Sequence, residues 1–107
     1  MVEKLPKSKG TEVIAYQLIK ASSSVAANYR AVCRAKSKAD FINKLKIVEE
    51  ESDESLFWLE FIEDLELIQK TLLKDLIKEA DELVSIFTAS LKTSKVNYKY
   101  KIPNRNS

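Results

Sequence analysis

The chain has 107 residues and a mass of 12.2 kDa, enough for one domain with a single core. One Gly and two Pro leave few turns, which argues against many short strands and for a few long helices. There is no His and a single Cys, Cys33. That composition excludes histidine triads, histidine proton shuttles, two-histidine zinc motifs, an intrachain disulfide and multi-cysteine metal sites. The net charge of +2 conceals three blocks: +7 over residues 1–46, −10 over 47–91 and +5 over 92–107. Two readings follow. Complementary helices attract each other within a bundle or between subunits, or a basic surface attracts a polyanion while the acidic helix points elsewhere.

In chain order, Met1 to Lys9 carries charges and no apolar run, so it is not a secretory signal. No apolar stretch approaches the roughly 18 residues of a membrane span, and the expectation is a soluble, cytoplasmic protein. Lys7 to Gly10 reads as a loop, with Thr11 capping a first helix over 11–35. Ile14, Leu18, Ala21, Val25 and Val32 form its core stripe, and Asn28 interrupts that stripe. A second stripe of Ala15, Ile19, Ala26 and Cys33 makes the apolar face wider than one partner helix needs. Ser22, Ser23 and Ser24 are poor helix formers, so close packing is expected to decide their place.

Ser37 to Asp40 resembles a capping box and opens a second helix over 38–63. Its stripe is Phe41, Leu45, Val48, Ser52, Leu56 and Leu59, flanked by Trp58 and Ile62. Asp64 to Ile68 forms a break that neither Gly nor Pro marks. A third helix over 70–92 has the cleanest pattern: Leu73, Leu76, Ile77, Ala80, Leu83, Val84, Phe87 and Leu91. The bundle domain is expected over 1–94, followed by a basic, flexible tail over 95–107.

The carboxylates offer little catalytic chemistry. Glu51 and Glu54, or Glu50 and Glu54, share a helix face, yet a di-iron bundle also needs Glu-x-x-His pairs. Neither a metal, a cofactor nor an enzymatic activity is therefore expected. Glu51 or Glu54 is expected instead to pair with Lys20, Arg30 or Arg34, across the bundle or a subunit interface. Cys33 reads as a buried, inert thiol. Ser22, Ser23, Ser24 and Asn28 are expected to hydrogen-bond between helices and to fix packing or oligomer state, with Tyr29 beside them. Trp58, with Phe57 and Phe61, reads as core or interface, because its neighbours Glu60, Glu63 and Asp64 would repel a phosphate backbone. The candidate phosphate-binding cations are Lys20, Arg30, Arg34, Lys36 and Lys38, joined by Lys99 and Lys101 in the tail.

Three ordered segments carry a family resemblance: Gln17 to Arg30, Ala35 to Leu45 and Glu51 to Glu60. Together they resemble the bacterial four-helix-bundle family encoded in 23S rRNA intervening sequences, also called the S23 family, over roughly residues 5–94. The resemblance implies an all-α antiparallel bundle that assembles into ring-like homopentamers and has no established enzymatic activity. It also implies similarity to the accessory variability determinant of diversity-generating retroelements, a basic pentamer that binds nucleic acid and a reverse transcriptase. Three departures matter. The family's helix before the Leu5-Pro6 turn is missing or shortened here, through truncation or loss. Ala31 and Glu50 stand where the family tends to have Glu and Lys. The expectation is a self-associating, non-enzymatic bundle that binds RNA or DNA with little sequence specificity and strong salt dependence. The alternative is a protein-binding scaffold whose charge blocks serve only its own assembly.

Overall fold

The computed structural model describes residues 2–100, with side chains through Asn97. It is all-helical: a short 3₁₀ turn at Val2–Lys4 precedes α1 (Lys9–Cys33), α2 (Lys38–Asp64) and α3 (Lys70–Tyr100). No strand occurs among the described residues, and no helix is long and apolar enough to cross a membrane. The molecule is 59 Å long and about 21 by 20 Å across.

The helix ends follow local chemistry. Ser8, not Thr11, is the N-cap of α1, so Gly10 lies within the first turn rather than in a loop. Thr11 is the reciprocal partner: its N–H donates to Ser8 Oγ at 3.2 Å, while the Ser8 N–H donates to Thr11 Oγ1 at 3.0 Å. The Thr11 hydroxyl also meets the Pro6 carbonyl, which ties the preceding chain to the helix start. Ser37 caps α2 as its spacing predicts, accepting from the Asp40 N–H at 3.1 Å. The returning arm differs from a standard capping box. Asp40 Oδ2 accepts from the Lys36 N–H at 3.1 Å, one residue further back than expected.

The break after α2 has a definite mechanism. Leu67 N–H donates to the Ile62 carbonyl and Glu66 N–H to the Glu63 carbonyl, the paired bonds of a Schellman motif. Glu66 takes the left-handed position, φ 55°, that glycine usually fills. Ile62 and Leu67 then pack in the same apolar cluster, closing the motif. α3 runs eight residues past its expected end, because buried Ser94 prolongs the Phe87–Leu91 face and no breaker intervenes before Pro103. Of the expected tail, residues 95–100 are therefore helical, and 101–107 lie outside the described residues.

α2 is the central helix: it packs on α1 along one side and on α3 along the other, while the α1 and α3 backbones scarcely approach each other. The core falls into two clusters. Leu5, Ile14, Leu18, Leu59, Ile62 and Leu73 fill one end, and Val32, Leu45, Val48, Phe87 and Leu91 fill the other. Ser22, Ser52 and Ser55 lie between them. Val25, Leu76 and Ala80, expected in the core, are half-buried, and Leu83 is 46% exposed.

Candidate functional site

Because α1 and α3 both lean on α2 and barely on each other, a trough opens between them. Its floor is a cavity of about 270 Å³ lined from all three helices, by Ser22 and Val25, by Ser52, Ser55 and Leu59, and by Leu76, Glu79, Ala80 and Leu83. Seven-residue steps from Ser22 reach Ala15 and Tyr29, and the adjacent row is Ile19, Ala26 and Cys33. These residues are the wall of the trough on α1. Leu72, Leu76 and Leu83, with Ile86 beside them, form the wall on α3. Ile19 is 51% exposed and Ile86 57%. The second apolar stripe of α1 thus faces open space, and this corrects the expectation for Cys33, which is exposed rather than buried.

The polar residues of the trough are satisfied differently from the expectation. Asn28 does not bridge helices. Its Nδ2 donates to the Ser24 carbonyl at 2.8 Å and to Ser24 Oγ at 3.1 Å, both one turn back on α1. Ser22 and Ser23 are exposed. Ser55 Oγ donates to the Glu51 carbonyl at 3.0 Å. Buried Ser52 Oγ, on the cavity floor, has no partner among the described residues. Tyr29 leans across towards α3, its ring centroid 6.0 Å from that of Phe87.

A second feature lies between α1 and α2, away from the trough floor. Arg30, Arg34 and Lys44 line an open cleft of about 550 Å³ whose remaining walls are Ala27 and Ala31. The small side chains matter, because they leave the cations standing clear of the backbone. Arg30 and Arg34 have no acidic partner within 4 Å among the described residues, whereas Lys44 Nζ sits 3.0 Å from Asp40 Oδ2. Two hydrogen bonds hold the Asp40 carboxyl below the usual range, first from the Lys36 N–H and then from Lys44. Lys36 and Lys38 follow at the α1–α2 turn, and the Lys38 ammonium lies 5.0 Å over the Phe41 ring. Lys20 is exposed on α1, two to three turns from this cleft. Lys99 lies in the last turn of α3, with its side chain outside the described residues, and Lys101 lies outside them altogether.

The acids are elsewhere. Glu49, Glu50 and Asp53 line a separate cleft with Val84 and Thr88, between α2 and α3. No ion pair within the chain joins Glu51 or Glu54 to Lys20, Arg30 or Arg34, which corrects the intrachain form of that expectation. Trp58 is half-buried against the cluster around Ile62 and makes edge contacts with Phe57 and Phe61, at centroid distances of 5.0 and 5.8 Å. Phe57 and Phe61 themselves remain exposed on the outer face of α2. No three His, Cys, Asp or Glu side chains converge as metal ligands among the described residues.

Two residue groups escaped the sequence reading. Lys44 is absent from the candidate cations, and nothing in its spacing announces that it lines one cleft with Arg30 and Arg34. Leu83 reads as part of the α3 core face, because periodicity gives a face and not what covers it, and Ile86 beside it lies outside that stripe.

Comparison with known proteins agrees with this architecture. No curated protein matches the chain. A crystal structure of a protein of unknown function from the S23 ribosomal protein family of Bacteroides thetaiotaomicron VPI-5482 superposes with a TM-score of 0.71 at 31% identity. The match covers 75% of this chain and 74% of that one. The family described as 23S rRNA-intervening sequence protein matches residues 1–89. With the three ordered segments, the helical order and the superposition in agreement, the chain belongs to the 23S rRNA-intervening sequence protein family.

Proposed function

We propose that this chain is a non-enzymatic, self-associating helical protein that holds nucleic-acid phosphates in the cleft between α1 and α2. The observation that supports the reading is the convergence of Arg30, Arg34 and Lys44 over an alanine floor, with the acids of α2 gathered in the opposite cleft. Guanidinium groups without a carboxylate partner are free to pair with phosphate oxygens. Lys36 and Lys38 extend the positive surface along the turn. No base-reading motif accompanies these cations, so binding is to the backbone and tolerant of sequence. Repetition of the patch in an assembly multiplies its strength, because each subunit adds phosphate contacts at high effective concentration.

Filter binding to single- and double-stranded RNA and DNA across a salt series tests this. Affinity falls as salt rises, with a slope of about 0.9 per neutralised phosphate on duplex DNA and about 0.7 on single strands. The Arg34→Ala and Lys44→Ala variants each flatten the slope by about one contact and weaken all sequences alike. Absence of binding at low salt defeats the phosphate reading and leaves a protein scaffold whose charges serve assembly alone.

A further inference from the structure

The cleft between α2 and α3 changes sign along its length. At mid-length it is acidic, lined by Glu49, Glu50 and Asp53 with Val84 and Thr88. Towards the α1–α2 turn the same helix faces become basic. Lys46 lies about one turn before Glu50 on α2, and Lys92 and Lys95 lie about one and two turns after Thr88 on α3. The two helices run antiparallel, so these steps lead to the same end of the molecule, where Leu45 and Leu91 share a core cluster. All three lysines are exposed, and none has an acidic partner within 4 Å among the described residues. Lys46 is two residues from Lys44 and so about 200° round α2 from it, on the side away from the arginine cleft. We propose that the first turns of α2 straddle a groove of duplex DNA, with Arg30, Arg34 and Lys44 holding phosphates of one strand and Lys46, Lys92 and Lys95 those of the other, an inference that rests on the phosphate-binding reading above and names its ligand.

Spacing, shape and charge agree with that ligand. The two sets of cations flank one helix, so they stand about 10–12 Å apart, the width of a helix with its side chains. The major groove of B-form DNA is about 12 Å wide and admits an α-helix, so the backbones on its two rims meet the two sets together. A single strand has one backbone and leaves one set idle. In A-form RNA the same groove is deep and narrow and closes against α2. The core clusters that all three helices fill lie behind α2, so its outward face is foremost between the cations. There Ala39 and Asn43 are exposed, small and uncharged. The Asp40 carboxylate beside them is already held by the Lys36 N–H and by Lys44. Seven residues after Asn43 the same line of α2 reaches exposed Glu50, and the acidic cleft opens next to it. Repulsion there confines the duplex to the basic end, which is why the sign change within one cleft matters.

Two triple variants test this on random-sequence duplex DNA, duplex RNA and single-stranded DNA across a salt series. Lys46→Gln, Lys92→Gln and Lys95→Gln together empty the second set of cations. Lys70→Gln, Lys74→Gln and Lys78→Gln together remove the same charge from exposed positions at the far end of α3. Circular dichroism checks that both variants keep their helices. On duplex DNA the first variant is expected to bind more weakly than wild type, its salt slope flattened by about 0.9 for each lysine removed. On single strands it is expected to bind like wild type, because the α1–α2 cleft is intact. The far-end variant is expected to bind every probe like wild type. A first variant that binds duplex DNA like wild type overturns the inference, as does one that loses single strands and duplex alike. A far-end variant that loses as much as the first reduces the effect to net charge and overturns it too. Duplex RNA bound as tightly as duplex DNA, with the same dependence on the three lysines, overturns the major groove as the seat. Each of these outcomes leaves the phosphate-binding reading standing if Arg34→Ala still weakens binding. Wild type that binds none of the probes at low salt ends both.

Discussion

Glu66 is the one described non-glycine residue with positive φ, and it sits at the position of the Schellman motif where a side chain is least welcome. A left-handed L-residue costs about 1–2 kcal/mol, offset in part by the greater freedom glycine has in the unfolded chain. Glu66→Gly is therefore expected to raise stability by about 0.5–1 kcal/mol, read as a higher urea midpoint with unchanged slope. A lower midpoint would show that the glutamate side chain contributes more than its backbone costs. At the other end of α2, Asp40 accepts from the Lys36 N–H and from Lys44, and its pKa is lowered. A carboxylate whose folded pKa is depressed stabilises the fold fully above its unfolded pKa, and that contribution is lost as pH falls through the folded one. Asp40→Asn removes the charge and keeps the shape. In thermal melts over a pH series, the gap between wild type and variant is expected to be constant near neutrality and to close in acid. A gap that persists at low pH would mean that the charge is not what stabilises this cap.

At the scale of elements, what could be read ahead of the structure is what depends on local spacing. The Ser37 cap and the 3.6-residue stripes placed α2 within a residue of its observed ends, because both signals lie inside the segment. The end of α3 was missed because its large apolar residues stop at Leu91, whereas small Ser94 continues the buried face. Arg30 and Arg34 were legible as neighbours one turn apart, but their meeting with Lys44 needs the crossing of α1 and α2, which no local pattern encodes. Cys33 shows the same gap: an apolar stripe predicts a covered face, and the wide separation of the α1 and α3 backbones leaves it open. The stripes differ in weight accordingly. Leu73 is fully buried at the start of α3 and Val96 is 46% exposed near its end. Leu73→Ala is expected to cost about 2–5 kcal/mol through lost burial and a residual cavity. Val96→Ala is expected to stay within about 0.5 kcal/mol. Urea denaturation of the two variants separates them. Equal costs would place the packing of α3 at its far end rather than against Ile14, Leu18 and Ile62.

At the scale of the whole molecule, twelve large apolar side chains are exposed among the described residues, against eleven that are buried. The exposed set is not scattered. Ile19, Leu83 and Ile86 border one concave surface, and Phe57, Phe61 and Leu65 crown another. Contiguous apolar surface on this scale marks an interaction site more often than a solvated face. If self-association covers those surfaces, folding and assembly share one free energy, and stability rises with protein concentration by mass action. A bound partner at about 100 times its dissociation constant adds about 2.7 kcal/mol. The only tryptophan reports on the same event: Trp58 is half-buried and in edge contact with Phe57 and Phe61, so covering that outer face of α2 takes water away from it. Across a dilution series, the denaturation midpoint is expected to fall and the Trp58 emission to shift red together, at the concentration where light scattering registers a loss of mass. Phe57→Glu is expected to show the low midpoint and the red emission at every concentration. A midpoint and an emission maximum that both ignore dilution, while the mass stays that of one chain, would mean that the trough and the outer face of α2 remain in water.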